Sequence, residues 1–126
     1  MDNRKDLRPV LVKIEETLGY SAEEKFQNLT LRQIIKLQHK LIVMLFKNYA
    51  FVRKTDLKSI SEQRIKRFIE SSLSKDIAFK NRMIGVIIGH FTIEEYEVYK
   101  ELSSEFNKRI LAIVKNRLKD SISELI

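Results

Sequence analysis

Between Thr30 and Lys54 the chain reads TLRQIIKLQHKLIVMLFKNYAFVRK, and its apolar positions recur with helical spacing. This stretch predicts one long helix over about 31–54, at the centre of the fold. Its middle, Leu41–Phe46, is apolar at every position and therefore needs cover on more than one side. Along the same stretch Arg32, Lys36, Lys40, Lys47 and Lys54 fall within an arc of roughly 80°, at about 100° per residue. The most buried element thus also carries a narrow basic stripe.

Helix starts are marked by the spacing Ser/Thr-x-x-Glu/Gln, which satisfies two orphan N–H groups reciprocally. It occurs at Ser21–Glu24, Thr30–Gln33, Ser59–Glu62 and Thr92–Glu95, each time ahead of a helical apolar run. A first helix is expected from about Leu7 to Leu18. Pro9 sits in its first turn and Gly19 follows its end, while Leu7, Val10, Leu11, Ile14 and Leu18 form its inner face. A short helix at about 22–28, anchored by Phe26, leads into the central one. RKTDLKS, residues 53–59, is a polar linker too short to mark a domain boundary.

Beyond it, a helix over about 60–73 should bury Ile65, Phe68, Ile69 and Leu73. Ser74 and Asp76 can start the next, about 76–89, packed through Ile77, Ile84, Ile87 and Ile88. Gly85 and Gly89, four apart, suggest a close helix crossing, with Gly89 ending the helix. The last pattern runs from Thr92 to about Ser123. Unbroken, it would be roughly 47 Å long at 1.5 Å per residue. A domain of this size has a radius of gyration of about 14 Å. The helix should therefore bend near Ser103–Ser104 or overhang the body. An overhanging face needs a partner, and a homodimer through Phe106, Ile110, Ile113 and Leu118 is the simplest.

Three glycines and one proline in 126 residues leave too few turn residues for a sandwich or barrel. The expected fold is all-α: a single domain, 1–126, of five to six helices packed around the 31–54 helix, with a long C-terminal helix. The chain shows no internal repeat and no low-complexity tract. The start, MDNRKDLRP, has no apolar core of a signal peptide, and no apolar run approaches the roughly 20 residues of a membrane span. With no cysteine, this suggests a cytoplasmic protein.

The net charge of +7 is concentrated. Residues 25–67 carry eleven Lys or Arg against only Asp56 and Glu62. The stripe of Arg32, Lys36, Lys40, Lys47 and Lys54, extended by Arg64 and Arg67, is the candidate contact for an anion or nucleic acid. Tyr49 and Phe51 lie beside it, but on a buried helix aromatics at this spacing belong to the core. Glu94, Glu95, Glu97, Glu101 and Glu105 form an acidic, exposed face that could pair with the stripe and neutralise it.

Catalytic chemistry is sparse. Absent cysteine removes thiol nucleophiles and thiolate metal sites, and neither a G-x-G-x-x-G nor a P-loop occurs. His90 reads as a residue at a helix C-terminus and His39 as one at a core boundary. Residues 60–90 match a helix-turn-helix in length, but Ile77, Ala78 and Phe79 are a core-like start for a recognition helix. The expectation is a small non-enzymatic regulatory or adaptor protein, dimeric and acting by protein–protein contact, with no cofactor, metal, small-molecule substrate or membrane. The alternative is a sequence-tolerant DNA or RNA binder.

Overall fold

The computed structural model describes residues 4–8 and 21–126. Most of the helix expected from Leu7 to Leu18 lies outside the described residues. Leu7 itself sits in a short 3-10 turn, Arg4–Leu7, and is exposed rather than turned to a core. From residue 21 the described chain is helical and contains no strand, so the fold class is all-α. The elements are α1 Ala22–Phe26, a π-helical segment Gln27–Leu31, α2 Arg32–Leu37, α3 His39–Val52, α4 Glu62–Lys75, α5 Ile77–Ile88, α6 Ile93–Glu101, α7 Ser103–Lys119 and α8 Ile122–Leu125.

Two of the four predicted capping boxes start helices. Ser21 Oγ accepts from the Glu24 N–H at 3.1 Å. Thr92 and Glu95 make the full reciprocal pair, at 3.1 and 2.9 Å. The other two differ. Ser59 belongs to a 3-10 turn, Leu57–Ser59, and Ser61 caps α4 instead by accepting from the Arg64 N–H at 3.2 Å. At Thr30 no helix begins. The backbone is helical from Ala22 through Leu37, with the Arg32 N–H bonded to the Gln27 carbonyl five residues back. Thr30 and Leu31 both turn inward within this segment. Between α4 and α5 a single residue, Asp76, makes the corner and caps α5 through the Phe79 N–H at 3.1 Å.

The predicted 31–54 helix bends at Gln38, where φ −88° and ψ 11° leave the helical region. Its hydrogen bonds continue across the bend, from the Gln38 N–H to the Ile34 carbonyl and from the Ile42 N–H to the Gln38 carbonyl, both 2.9 Å. The C-terminal pattern breaks at Leu102, φ −136° and ψ 45°, one residue from the expected bend. The break folds α7 back into the body instead of letting it overhang. Phe106, Ile110 and Leu118 are almost wholly buried within this one chain, and Ile113 packs half-buried against the same core. The partner face assigned to these four residues is therefore spent on the chain's own interior. α7 packs on α2, the π segment, α4, α5 and α6.

One core joins the helices, with an aromatic cluster in each half. Phe46, Tyr49, Phe68 and Phe79 meet between α3, α4 and α5, with the Tyr49 and Phe79 rings 3.9 Å apart and stacked. Phe26, Phe91, Tyr99 and Phe106 meet between α1, α6 and α7, Phe26 lying 4.6 Å from Phe106. Ile77, expected in the core, occupies the first position of α5 and faces solvent. Gly85 is exposed too, and a Cβ built there would meet no atom within 4 Å, so no helix crosses at that point.

Glu95 departs furthest from its expected role. It is buried, not part of an exposed acidic face. Its carboxylate closes the Thr92 capping box and also receives the Arg8 guanidinium at 2.5 and 2.7 Å. The Thr30 hydroxyl donates to it at 3.4 Å, and Arg8 donates as well to the His90 carbonyl at 2.7 Å. The Arg8 and Glu95 side chains are 2% and 8% exposed. One carboxylate thus ties the N-terminal turn, the π segment and the start of α6 together.

Burial pushes the Glu95 carboxyl up, but the hydrogen bonds from Arg8 and the Thr92 N–H, with the charge of Arg8, outweigh it and hold the group below its ordinary range. Its contribution to stability is therefore fully present above the unfolded-chain value of about 4.3. It is lost as pH falls through the lower folded value. Glu95→Gln should cost about 3–5 kcal/mol at pH 7, because it strands a buried guanidinium. It should also flatten the acid limb of the stability curve. Urea unfolding at pH 7 and pH 3 measures both, and an unchanged acid limb would refute the ion pair. Gly85→Ala should stabilise the chain by about 0.5–1 kcal/mol by removing an exposed helical glycine. A lowered melting temperature would contradict the open space at that position.

Candidate functional site

The basic stripe is exposed along α2 and α3. Lys36, Lys40, Lys47, Lys54, Arg64 and Arg67 are all at the surface, and none makes an ion pair among the described residues. Arg32 is exposed as well, with its Nε donating to Asn28 Oδ1 at 3.0 Å. The bend at Gln38 kinks the stripe without severing it. The acidic residues 94–105 do not neutralise it: Glu97 pairs with Lys100 and Glu105 with Arg109, each within its own helix. Two flanking cations are committed elsewhere. Lys66 lies 3.6 Å from Glu62. Arg53 stacks 3.7 Å over the Tyr49 ring and pairs with Asp76.

Tyr49 and Phe51 separate. Tyr49 is core, and its hydroxyl donates to Asp76 at 2.8 Å. Burial first, then the Asp76 carboxylate, push the Tyr49 hydroxyl above its ordinary range. Asp76 is held low by the Phe79 N–H and the Tyr49 hydroxyl. Phe51 is 80% exposed, against the expectation that it would be core. Leu41, Met44 and Val52 are also exposed, so the outer surface of α3 carries apolar side chains alongside the stripe's cations.

The cations and apolar side chains converge where α3 ends. The Lys54 N–H bonds to the Phe51 carbonyl at 3.0 Å and the Thr55 N–H to the Ala50 carbonyl at 2.9 Å. This is the Schellman closure, which calls for a left-handed residue, normally glycine. Here that residue is Lys54, at φ 58°. The chain then turns through Asp56, whose carboxylate accepts from the Lys58 N–H at 3.1 Å, and buries Leu57. The result is an open groove of about 670 Å³. Ala50, Leu57 and Leu125 lie at its base and Phe51 and Val52 form an apolar wall, while Lys47, Lys54 and Lys58, with the single acid Asp56, surround it.

Leu125 reaches the groove because α8 is fastened to α3. His39 Nε2 lies 2.9 Å from a Glu124 carboxylate oxygen, and Arg117 Nη1 lies 3.2 Å from His39 Nδ1. A guanidinium only donates, so Nδ1 accepts and Nε2 carries the proton given to Glu124. His39 therefore fastens α8 rather than facing a ligand. His90 lies beside Glu95, but the Arg8 guanidinium stands between the histidine carbonyl and that carboxylate. No group of three or more His, Asp or Glu that could hold a metal ion occurs among the described residues, and no described helix is long and apolar enough to cross a membrane.

The stripe was legible from residue spacing, whereas the groove was not. It joins the 47–58 stretch to Leu125 from far along the chain, and the sequence marked RKTDLKS only as a polar linker. Comparison with protein-family models, curated proteins and solved structures finds no match, so function is read from the chain's own chemistry.

Lys54 holds a backbone conformation that costs a non-glycine residue about 1–2 kcal/mol. Lys54→Gly should therefore stabilise the chain by about 1 kcal/mol in denaturant unfolding. A destabilised variant would mean that the lysine side chain contributes more to the fold than its backbone costs.

Proposed function

We propose that this chain is a small, non-enzymatic adaptor that receives an acidic, amphipathic segment of a partner protein in the groove at the end of α3. The observation that carries the reading is the composition of that groove. Exposed Phe51 and Val52, at 80% and 63%, stand among Lys47, Lys54 and Lys58, which have no ion pairs among the described residues. A partner helix with apolar residues on one side and carboxylates beside them satisfies both features. A second copy of this chain fits less well, because a net charge of +7 sets basic surface against basic surface.

The stripe also meets the electrostatic requirement of a phosphate backbone, which supports DNA or RNA binding as the second reading. The exposed Leu41, Met44 and Val52 weigh against it, since a phosphate backbone offers them nothing to be buried against.

Anisotropy with labelled helical peptides that pair Leu or Phe at i, i+4 with flanking Asp and Glu tests the adaptor reading. Phe51→Asp should weaken binding about 10- to 100-fold, the equivalent of about 1.5–3 kcal/mol of lost aromatic burial. It should leave thermal stability unchanged, because the ring is exposed. Lys47→Glu with Lys54→Glu should weaken binding and remove most of its salt dependence. Peptide binding indifferent to Phe51→Asp would overturn the groove. Tight oligonucleotide binding lost on charge reversal at Lys36, Lys40 and Lys47, but untouched by Phe51→Asp, would establish the second reading instead. Its log affinity should fall with log salt at about −0.9 per phosphate contact on duplex DNA.

A further inference from the structure

A second concavity, of about 400 Å³, lies among α4, α5 and α7 and shares no residue with the groove. Four lysines line it: Lys80 from α5, and Lys108, Lys115 and Lys119 from α7. The only acid lining it is Glu70 of α4, whose carboxylate takes Lys115 at 2.8 Å and Lys119 at 3.9 Å. The Lys115 ammonium also donates to the Ser74 hydroxyl at 2.7 Å. Lys115 and Lys119 are only 20% and 28% exposed, so their charges are partly withdrawn from water. Lys80 and Lys108 make no ion pair among the described residues, and the Asn116 side chain adds a neutral donor at the same wall.

Four ammonium groups around one carboxylate repel one another, and a dianion placed among them would relieve that repulsion. Lysine acts on phosphate as a point charge with three rotatable donors, which suits a concave site approached from several directions. A nucleic-acid backbone requires instead a track of cations along an open surface, as on α2 and α3. We propose that this pocket binds a phosphate group, carried either by a small soluble ligand or by a lipid head. Glu70 holds two of the lysines in place and competes with the incoming anion for them.

Inorganic phosphate, titrated at constant ionic strength and followed by amide chemical shifts, is the direct probe. Saturable shifts are expected around Ser74, Lys108, Lys115 and Asn116. The Lys80→Gln, Lys108→Gln double variant keeps every observed ion pair, so it should fold normally and lose more than tenfold in affinity. Glu70→Gln should tighten binding several-fold by removing the competing carboxylate, a gain that a merely structural Glu70 would not give. Lys36→Gln, on the stripe, should change nothing. Sedimentation with phosphatidic acid vesicles, abolished in the double variant, would assign the phosphate to a lipid. Saturable phosphate binding without sedimentation would assign it to a soluble ligand. Shifts that never saturate, or affinity unaffected in the double variant, would mean an adventitious ion only and would overturn the site, leaving the groove at α3 untouched.

Discussion

The burial of one face of α7 holds the described helices together. Phe106, Ile110, Val114 and Leu118 present a continuous apolar row to the core, each position worth about 1.5–3 kcal/mol when fully removed from water. Because the chain breaks at Leu102, that row turns inward and meets helices from both halves of the chain. Both candidate sites follow from it. The flank of α7 carries three of the four pocket lysines, and the short α8 beyond its end supplies a residue to the base of the groove. A change that loosened α7 would disturb both sites without touching either ligand.

The buried polar cluster around Glu95 joins parts of the chain that the apolar core alone does not link by hydrogen bonds. A paired charge inside a protein contributes little net energy, yet it tolerates few alternative arrangements, since any displacement strands it. Here the pair clips a turn near the N-terminus to a helix start more than eighty residues later.

How far the sequence was legible depended on whether each signal was local. Ser21 and Thr92 cap helices as their spacing implies, because a cap is settled within four residues. Thr30 carries the same spacing and caps nothing, because its hydroxyl finds a distant carboxylate and the helix runs through it. Ser59 yields to Ser61, since Asp56 first draws Ser59 into a tight turn. The exposed row of cations was likewise readable from angular spacing alone. The inward turn of α7, the exposure of Phe51 and the burial of Glu95 depend on which elements meet. No periodicity within one helix encodes that.

The π segment carries a consequence for how this chain can vary. An α-helix turns about 100° for each residue. Deleting any one residue from 27–31 could restore a regular ladder, but it would rotate α1 by that angle against α2. Phe26 would then swing away from Phe91 and Phe106, which it now meets at 5.8 and 4.6 Å. The residue count of this segment is thus constrained as firmly as its buried side chains, Thr30 and Leu31. In related chains, insertions and deletions should avoid these five positions.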